Sequence, residues 1–217
     1  MTTTDIVNLF LVLSLFLLIF GSAEFLYKRK LSSDITRKIV HIGGGIVTAL
    51  LPVFVDLRTV VIIGCGFFLV LVWSKRKNFL NSVHKIHEES IGALLYAPSL
   101  TLTAIVFWPI NQLAFQGAAL VLGLSDGIAG IVGRRYGKRK YSITGTKTVE
   151  GSIVFFLITA LILSVILLAN SSHPFLNKMI LVFGGSLLLT IIEALFGKGW
   201  DNLFIPLVAG FIILFAL

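Results

Sequence analysis

Long apolar stretches, divided by short polar connections, recur through all 217 residues. A helix that crosses a bilayer needs about 20 mostly apolar residues. Eight segments approach that length: 6–26, 38–55, 58–74, 91–108, 111–133, 150–169, 178–196 and 202–217. The second, third and last are short, which predicts a break or a tilt in each. The connections are brief apart from two basic loops, 75–90 and 134–149. The pattern predicts one all-α domain over 1–217, a polytopic membrane bundle of about eight transmembrane helices.

Composition agrees with that class. Hydrophobic residues make up 57% of the chain and charged residues 13%, with a mean hydropathy of +1.00. A soluble domain carries roughly a quarter charged residues. The charge is also one-sided. Of the 18 Lys and Arg residues, all but Arg58 and Lys178 fall in 27–38, 75–90, 134–149 and 197–201. The positive-inside rule then puts those loops in the cytoplasm and both termini on the non-cytoplasmic side. Residues 6–26 follow Asp5, with no Lys or Arg before them, which suits a first spanning helix better than a secretory signal. Exposed basic runs such as Lys28–Lys30 and Lys75–Lys77 fit contact with anionic lipid headgroups. No soluble module exists to present a basic patch to nucleic acid. Cys65, the sole cysteine, leaves no disulfide within the chain and is expected to be a small buried hydrophobe.

Acids are placed less predictably than bases. Eight of the ten (all but Asp5 and Asp56) lie on or near the basic side. Asp126 stands out in "LSDGIAGIVGRRYG", eight residues before Arg134 and therefore about 12 Å deeper along a helix. A charge at membrane depth is costly, so it normally faces a polar cavity and marks function. Gly130 and Gly133 share its helical face and leave room for a ligand. Gly123 and Gly127 are expected to pack against a neighbouring helix.

Three further islands carry polar chemistry. In "TGTKTVEGS", Thr146 or Thr148 can cap the sixth helix, with Glu150 in its first turn. The same helix start could instead hold phosphate, with Gly145 admitting backbone and Lys147 supplying charge. It lacks the Walker A order. In "TRKIVHIGGG", Arg37, His41 and Gly44 or Gly45 share a face. His41 is either a hydrogen-bonding anchor or, beside Arg37 and Lys38, a phosphate or proton-transfer group. In "IIEALFGKGWDNLFIPL", Glu193 and Asp201 bracket a Gly-rich turn. Asp126, Glu193 and Asp201 could converge, and a few carboxylates completed by phosphate and water commonly hold Mg²⁺. The loop with His84, His87, Glu88 and Glu89 reads as an interfacial helix.

Together "RKIVHIGGG", "LSDGIAGIVGRRYG", "GTKTVEGS" and "IIEALFGKGWDNLFIPL" resemble the polyprenol kinase family, which includes phytol and dolichol kinases and is distantly similar to phosphatidate cytidylyltransferases. The four motifs span residues 37–207. The resemblance implies Mg²⁺-dependent transfer of phosphate from CTP, or another nucleoside triphosphate, to a membrane lipid alcohol such as phytol, geranylgeraniol or a polyprenol. It maps an acid-in-glycine motif onto Asp126, Gly130 and Gly133. A second motif maps onto Lys147, Thr148, Glu150 and Gly151, and a third onto Asp201 and Asn202, with Glu193 upstream. Asp126 and Asp201 would hold the metal. Lys147, Arg134 and Arg135 would balance phosphate charge, and Glu193 or His41 would accept the alcohol's proton. Ser125 departs from the glycine of many relatives.

Three other readings remain. A CDP-lipid synthase would use CTP and a phosphatidate-like lipid, although its C-terminal Asp-, Pro- and Gly-rich signature is missing. A diacylglycerol kinase would share the family. A transporter or flippase would instead line a path across the bilayer with polar groups.

Overall fold

A computed structural model describes residues 3–77, 79–84 and 91–217. The helices are α1 (Thr3–Lys28), α2 (Ser33–Phe54), α3 (Leu57–Arg76), α4 (Asn81–His84), α5 (Gly92–Phe107), α6 (Gln112–Leu120), α7 (Gly127–Tyr136), α8 (Val149–Asn170), α9 (Phe175–Leu195) and α10 (Asp201–Ala216). A π-helical segment, Val121–Asp126, joins α6 to α7 and makes one continuous helix of Gln112–Tyr136.

Among the described residues, six helices are long and apolar enough to cross a membrane: α1, α2, α3, Gln112–Tyr136, α8 and α9. The segments at α5 and α10 form shorter apolar helices of 16 residues each. The sequence places the short helices differently, expecting the second and third among them. These run instead to 22 and 20 residues. The polar turn Ser33–Lys38 stays helical because its side chains find partners. Thr36 Oγ1 donates to the Ser82 carbonyl at 2.8 Å, and Lys38 reaches Asp126.

The all-α expectation also misses a small hairpin. Strands β1 (Lys140–Ser142) and β2 (Thr146–Thr148) pair antiparallel, with Lys140 opposite Thr148. This ties down the second basic loop and aims Lys147. The interfacial helix expected around His84, His87, Glu88 and Glu89 lies largely outside the described residues. Cys65 is exposed on α3 rather than buried, because α3 turns most of that stretch outward.

Local chemistry explains several helix starts. The Asp56 carboxylate accepts from the Thr59 amide at 2.9 Å and caps α3. Asn111 caps α6 through Leu113. Thr148, one of the two candidate caps, accepts from the Gly151 amide at 3.2 Å to start α8.

Gln112–Tyr136 is the most deeply buried of the six long helices. Its residues Phe115, Ala118, Ala119, Val121 and Leu122 are fully enclosed. The expected packing role of Gly123 and Gly127 is met. A Cβ on Gly123 would lie 2.7 Å from the Gly45 Cα, and one on Gly127 would strike Ile42. The outer faces of α1, α8 and α9 carry exposed side chains such as Leu17, Leu161 and Phe183. An apolar exterior of this kind is what lipid contact requires.

Candidate active site

A cavity of about 500 Å³ lies where α2, α5, α8 and α10 begin and where α7 and α9 finish. Its lining draws on all four polar islands of the sequence. Arg37, Lys38 and His41 come from α2, Asp126, Gly130 and Gly133 from the central helix, and Lys147, Thr148 and Gly151 from β2 and α8. Glu193, Asp201 and Asn202 close it from α9 and α10.

Asp126 forms one charged wall and is only 6% exposed. Its Oδ2 meets Lys38 Nζ at 2.6 Å and His41 Nε2 at 2.9 Å. Lys38 also donates to the Asp126 carbonyl at 3.1 Å. His41 Nε2 lies 3.0 Å from the Leu122 carbonyl, so two acceptors face that nitrogen and assign it the proton. The Tyr96 hydroxyl donates to the His41 carbonyl at 2.7 Å, and the two rings sit 4.3 Å apart.

Lys147 organises the facing wall. Its ammonium donates to Glu193 Oε1 at 2.7 Å, to Asp201 Oδ2 at 3.2 Å and to the Glu193 carbonyl. Burial alone would lower the Lys147 pKa, but Asp201 and Glu193 together outweigh it and hold it above its ordinary value. Ser152 Oγ donates to Glu193 Oε2 at 3.3 Å, and Tyr141 OH lies 2.6 Å from Ser152 Oγ.

Backbone geometry brings the C-terminal island in. Gly199 has φ +99°, a left-handed conformation suited to glycine, and a Cβ there would strike Gly92. The Ile91 amide donates to the Lys198 carbonyl at 3.0 Å, and Asn202 Nδ2 to the Gly92 carbonyl at 2.7 Å. Asn202 therefore fastens α10 to α5 while lining the cavity.

The remaining candidates divide. Arg134 sits at the rim, exposed and paired with Asp34. Gly145 lines the cavity from the hairpin tip. Gly130 and Gly133 line it too, yet they also let neighbours close in. A Cβ on Gly130 would meet Lys38, and one on Gly133 would lie 2.7 Å from Thr148 Oγ1. Two candidates point elsewhere. Arg135 is exposed over the Tyr136 ring, and the Glu150 carboxylate accepts from the Arg139 amide at 3.3 Å. Sequence reasoning missed Tyr96, Tyr141 and Ser152. The last sits inside the quoted "TGTKTVEGS", where a hydroxyl one turn into α8 was the available signal.

Among the described residues, no three His, Cys, Asp or Glu side chains gather as a metal set. Mg²⁺ seldom asks for one, since it commonly uses one or two carboxylates with phosphate oxygens and water. Asp126 and Asp201 supply that number from one cavity. Each is balanced by a lysine that phosphate oxygens could equally engage. Carboxylates and lysines are the kind of donors that a metal-loaded polyphosphate would need.

An apolar helical bundle with acid and base groups buried at one end is the architecture of a membrane protein with a polar site. The chain is 32% identical to a phytol kinase of Synechocystis over 86% of its own length and 81% of that protein. It is 30% identical to phytol kinase 1 of Arabidopsis thaliana over 72% of its length, covering 56% of that protein. It is also 29% identical to an uncharacterized protein of Methanocaldococcus jannaschii, over 83% and 92% of the two chains. No family model and no solved structure matches significantly. The chain belongs to the polyprenol and phytol kinase family.

Proposed function

We propose that this protein transfers the terminal phosphoryl group of a Mg²⁺-bound nucleoside triphosphate to the hydroxyl of a membrane isoprenoid alcohol. As a member of this family it is a kinase of an alcohol acceptor. The finer reading is CTP as donor and phytol, geranylgeraniol or a polyprenol as acceptor. The observation that carries it is the pair of opposed walls, Asp126–Lys38–His41 and Lys147–Glu193–Asp201, in one cavity at the end of apolar helices.

Phosphoryl transfer is largely positioning and charge neutralisation. Lys147 and Lys38 engage phosphate oxygens, and Arg37 and Arg134 add charge at the wall and the rim. Asp126 and Asp201 would hold the metal, which when bound neutralises charge on the phosphates. The alcohol oxygen attacks the terminal phosphorus, the bond to the bridging oxygen breaks, and nucleoside diphosphate leaves. The hydroxyl proton passes to a neighbouring base, the Glu193 carboxylate or the unprotonated Nδ1 of His41, since His41 Nε2 already carries a proton. The predominance of basic residues at this end supports a cytoplasmic site, with both termini on the other face and anionic headgroups around the rim.

The test is purified protein in detergent with a panel of lipid alcohols and nucleoside triphosphates labelled at the α or γ position. γ-Label in lipid with a CTP preference is expected. α-Label in lipid would instead indicate cytidylyl transfer, and no label in any lipid would remove the kinase reading.

A further inference from the structure

A second, smaller cavity of about 70 Å³ adjoins the first and shares Phe20, Val40, Leu71 and Tyr96 with it. It runs between α1, α2, α3 and α5. Among the described residues, the hydroxyls in its lining besides that of Tyr96 belong to Thr48 and Thr101. Thr101 spends its hydrogen bond on the Ala97 carbonyl at 2.8 Å, and Tyr96 spends its own on His41. The slot is therefore apolar in effect. Along α2 its wall passes Val40, Gly44, Thr48 and Leu51, a rise of about 16 Å. That is roughly half of the ~30 Å hydrocarbon core.

We propose that this slot holds the leading part of the acceptor's isoprenoid tail, delivers its hydroxyl past Tyr96 to the Asp126–His41 wall, and is gauged at its neck by Gly44. The inference rests on the alcohol-kinase reading above. A lipid alcohol has one polar atom and a long apolar remainder, so a site that phosphorylates it needs an apolar path ending at the charged cavity. The four shared residues set this slot directly against that cavity. The occupant is thus the acceptor rather than a bystander lipid on the outer faces. At the neck, a Cβ on Gly44 would lie 3.4 Å from Tyr96 Cε1. A methyl group fits there, but the branches of valine would fill the opening or displace the ring. Ala97 lines the opposite wall from α5.

The experiment pairs two readouts on wild type, Gly44→Val and Ala97→Leu in detergent. One is kcat/KM for a C20 isoprenoid alcohol relative to a C5 one. The other is photolabelling by an isoprenoid alcohol carrying a diazirine on its tail, mapped by mass spectrometry. Wild-type label is expected on slot residues of α2, α3 and α5. Both variants should lose that label and lower the long-to-short ratio by about tenfold or more. Label confined to the outer faces, or an unchanged ratio in a folded variant, overturns the proposal. Slot labelling in a wild type that phosphorylates no alcohol would sustain the slot and remove the kinase reading instead. Ala97→Leu serves if Gly44→Val does not fold.

Discussion

Gly45 and Gly123 meet backbone to backbone, so that a Cβ on Gly45 would lie only 2.5 Å from the Gly123 Cα. This crossing sets α2 against the π-helical segment so closely that neither glycine leaves room for a side chain. It is also what brings Lys38 and His41, one side of the crossing, onto Asp126. Gly123→Ala should therefore do two things. Overpacking of this kind costs about 1–3 kcal/mol, lowering the melting temperature in detergent. Turnover should fall further than that loss explains, because the Asp126 wall opens.

Asp126→Asn should destabilise as well as inactivate. Removing the anion leaves Lys38 buried without its partner, and breaking a buried ion pair costs about 3–5 kcal/mol. The double variant Asp126→Asn/Lys38→Met should regain much of the lost thermal stability and remain inactive. A double variant no more stable than the single one would show that the pair does not couple.

Lys147→Met should abolish phosphoryl transfer and leave Glu193 and Asp201 facing each other unneutralised. The pH dependence follows from its raised pKa. A group raised in the folded state stabilises fully below its unfolded pKa, about 10.4 for lysine. That contribution is lost as pH rises through the higher folded value. The stability gap between wild type and Lys147→Met, measured by thermal melts, should be constant near neutrality and narrow above about pH 10.5.

Chelation gives a separate check. Transfer should cease in EDTA and return with excess Mg²⁺, whereas photolabelling of the apolar slot should persist throughout. Loss of slot labelling on chelation would mean that metal and tail sites are not separable.

Asp56→Ala provides a control away from the cavity. Loss of this cap on α3 should cost about 0.5–2 kcal/mol at most, with turnover unaffected at temperatures where the variant is folded. The hydrogen bond from Thr59 holds the Asp56 pKa below its ordinary value. Its stabilising effect is present above the unfolded value and should fade as pH falls through the folded one. Melts of wild type and variant should accordingly converge in acid.

Much of this architecture was legible in the residue order. The order of the eight apolar helical segments follows from the hydrophobic runs, although among the described residues only six of them are long enough to cross a membrane. Asp126 was conspicuous because its surroundings make a charge expensive. What escaped was pairing. Nothing local to Lys38 says that its partner is Asp126 rather than a phosphate, since the contact joins residues 88 apart in the chain. Likewise Lys147 could be read as cationic, but its choice of Glu193 and Asp201 depends on the turn at Gly199 and the hairpin behind it. Helix ends were misjudged where polar side chains satisfied one another, as in Ser33–Lys38. Cys65 was misplaced because orientation around a uniformly apolar helix leaves little trace in composition, whereas Glu150 does fall in the first turn of α8. The hairpin is too short to show an alternating pattern.

The π-helical segment Val121–Asp126 gives the central helix a change of phase. One extra residue in a turn rotates everything after it by about 100° relative to an unbroken α-helix. Ahead of the segment the helix offers small side chains to α10 and α2; beyond it, a different side meets α8 and the charged cavity. Deleting a single residue here would spare the composition and the hydropathy profile almost entirely. It would nevertheless swing the Asp126 carboxylate out of register with its partners, an inactivation that no scan of apolar length would foresee.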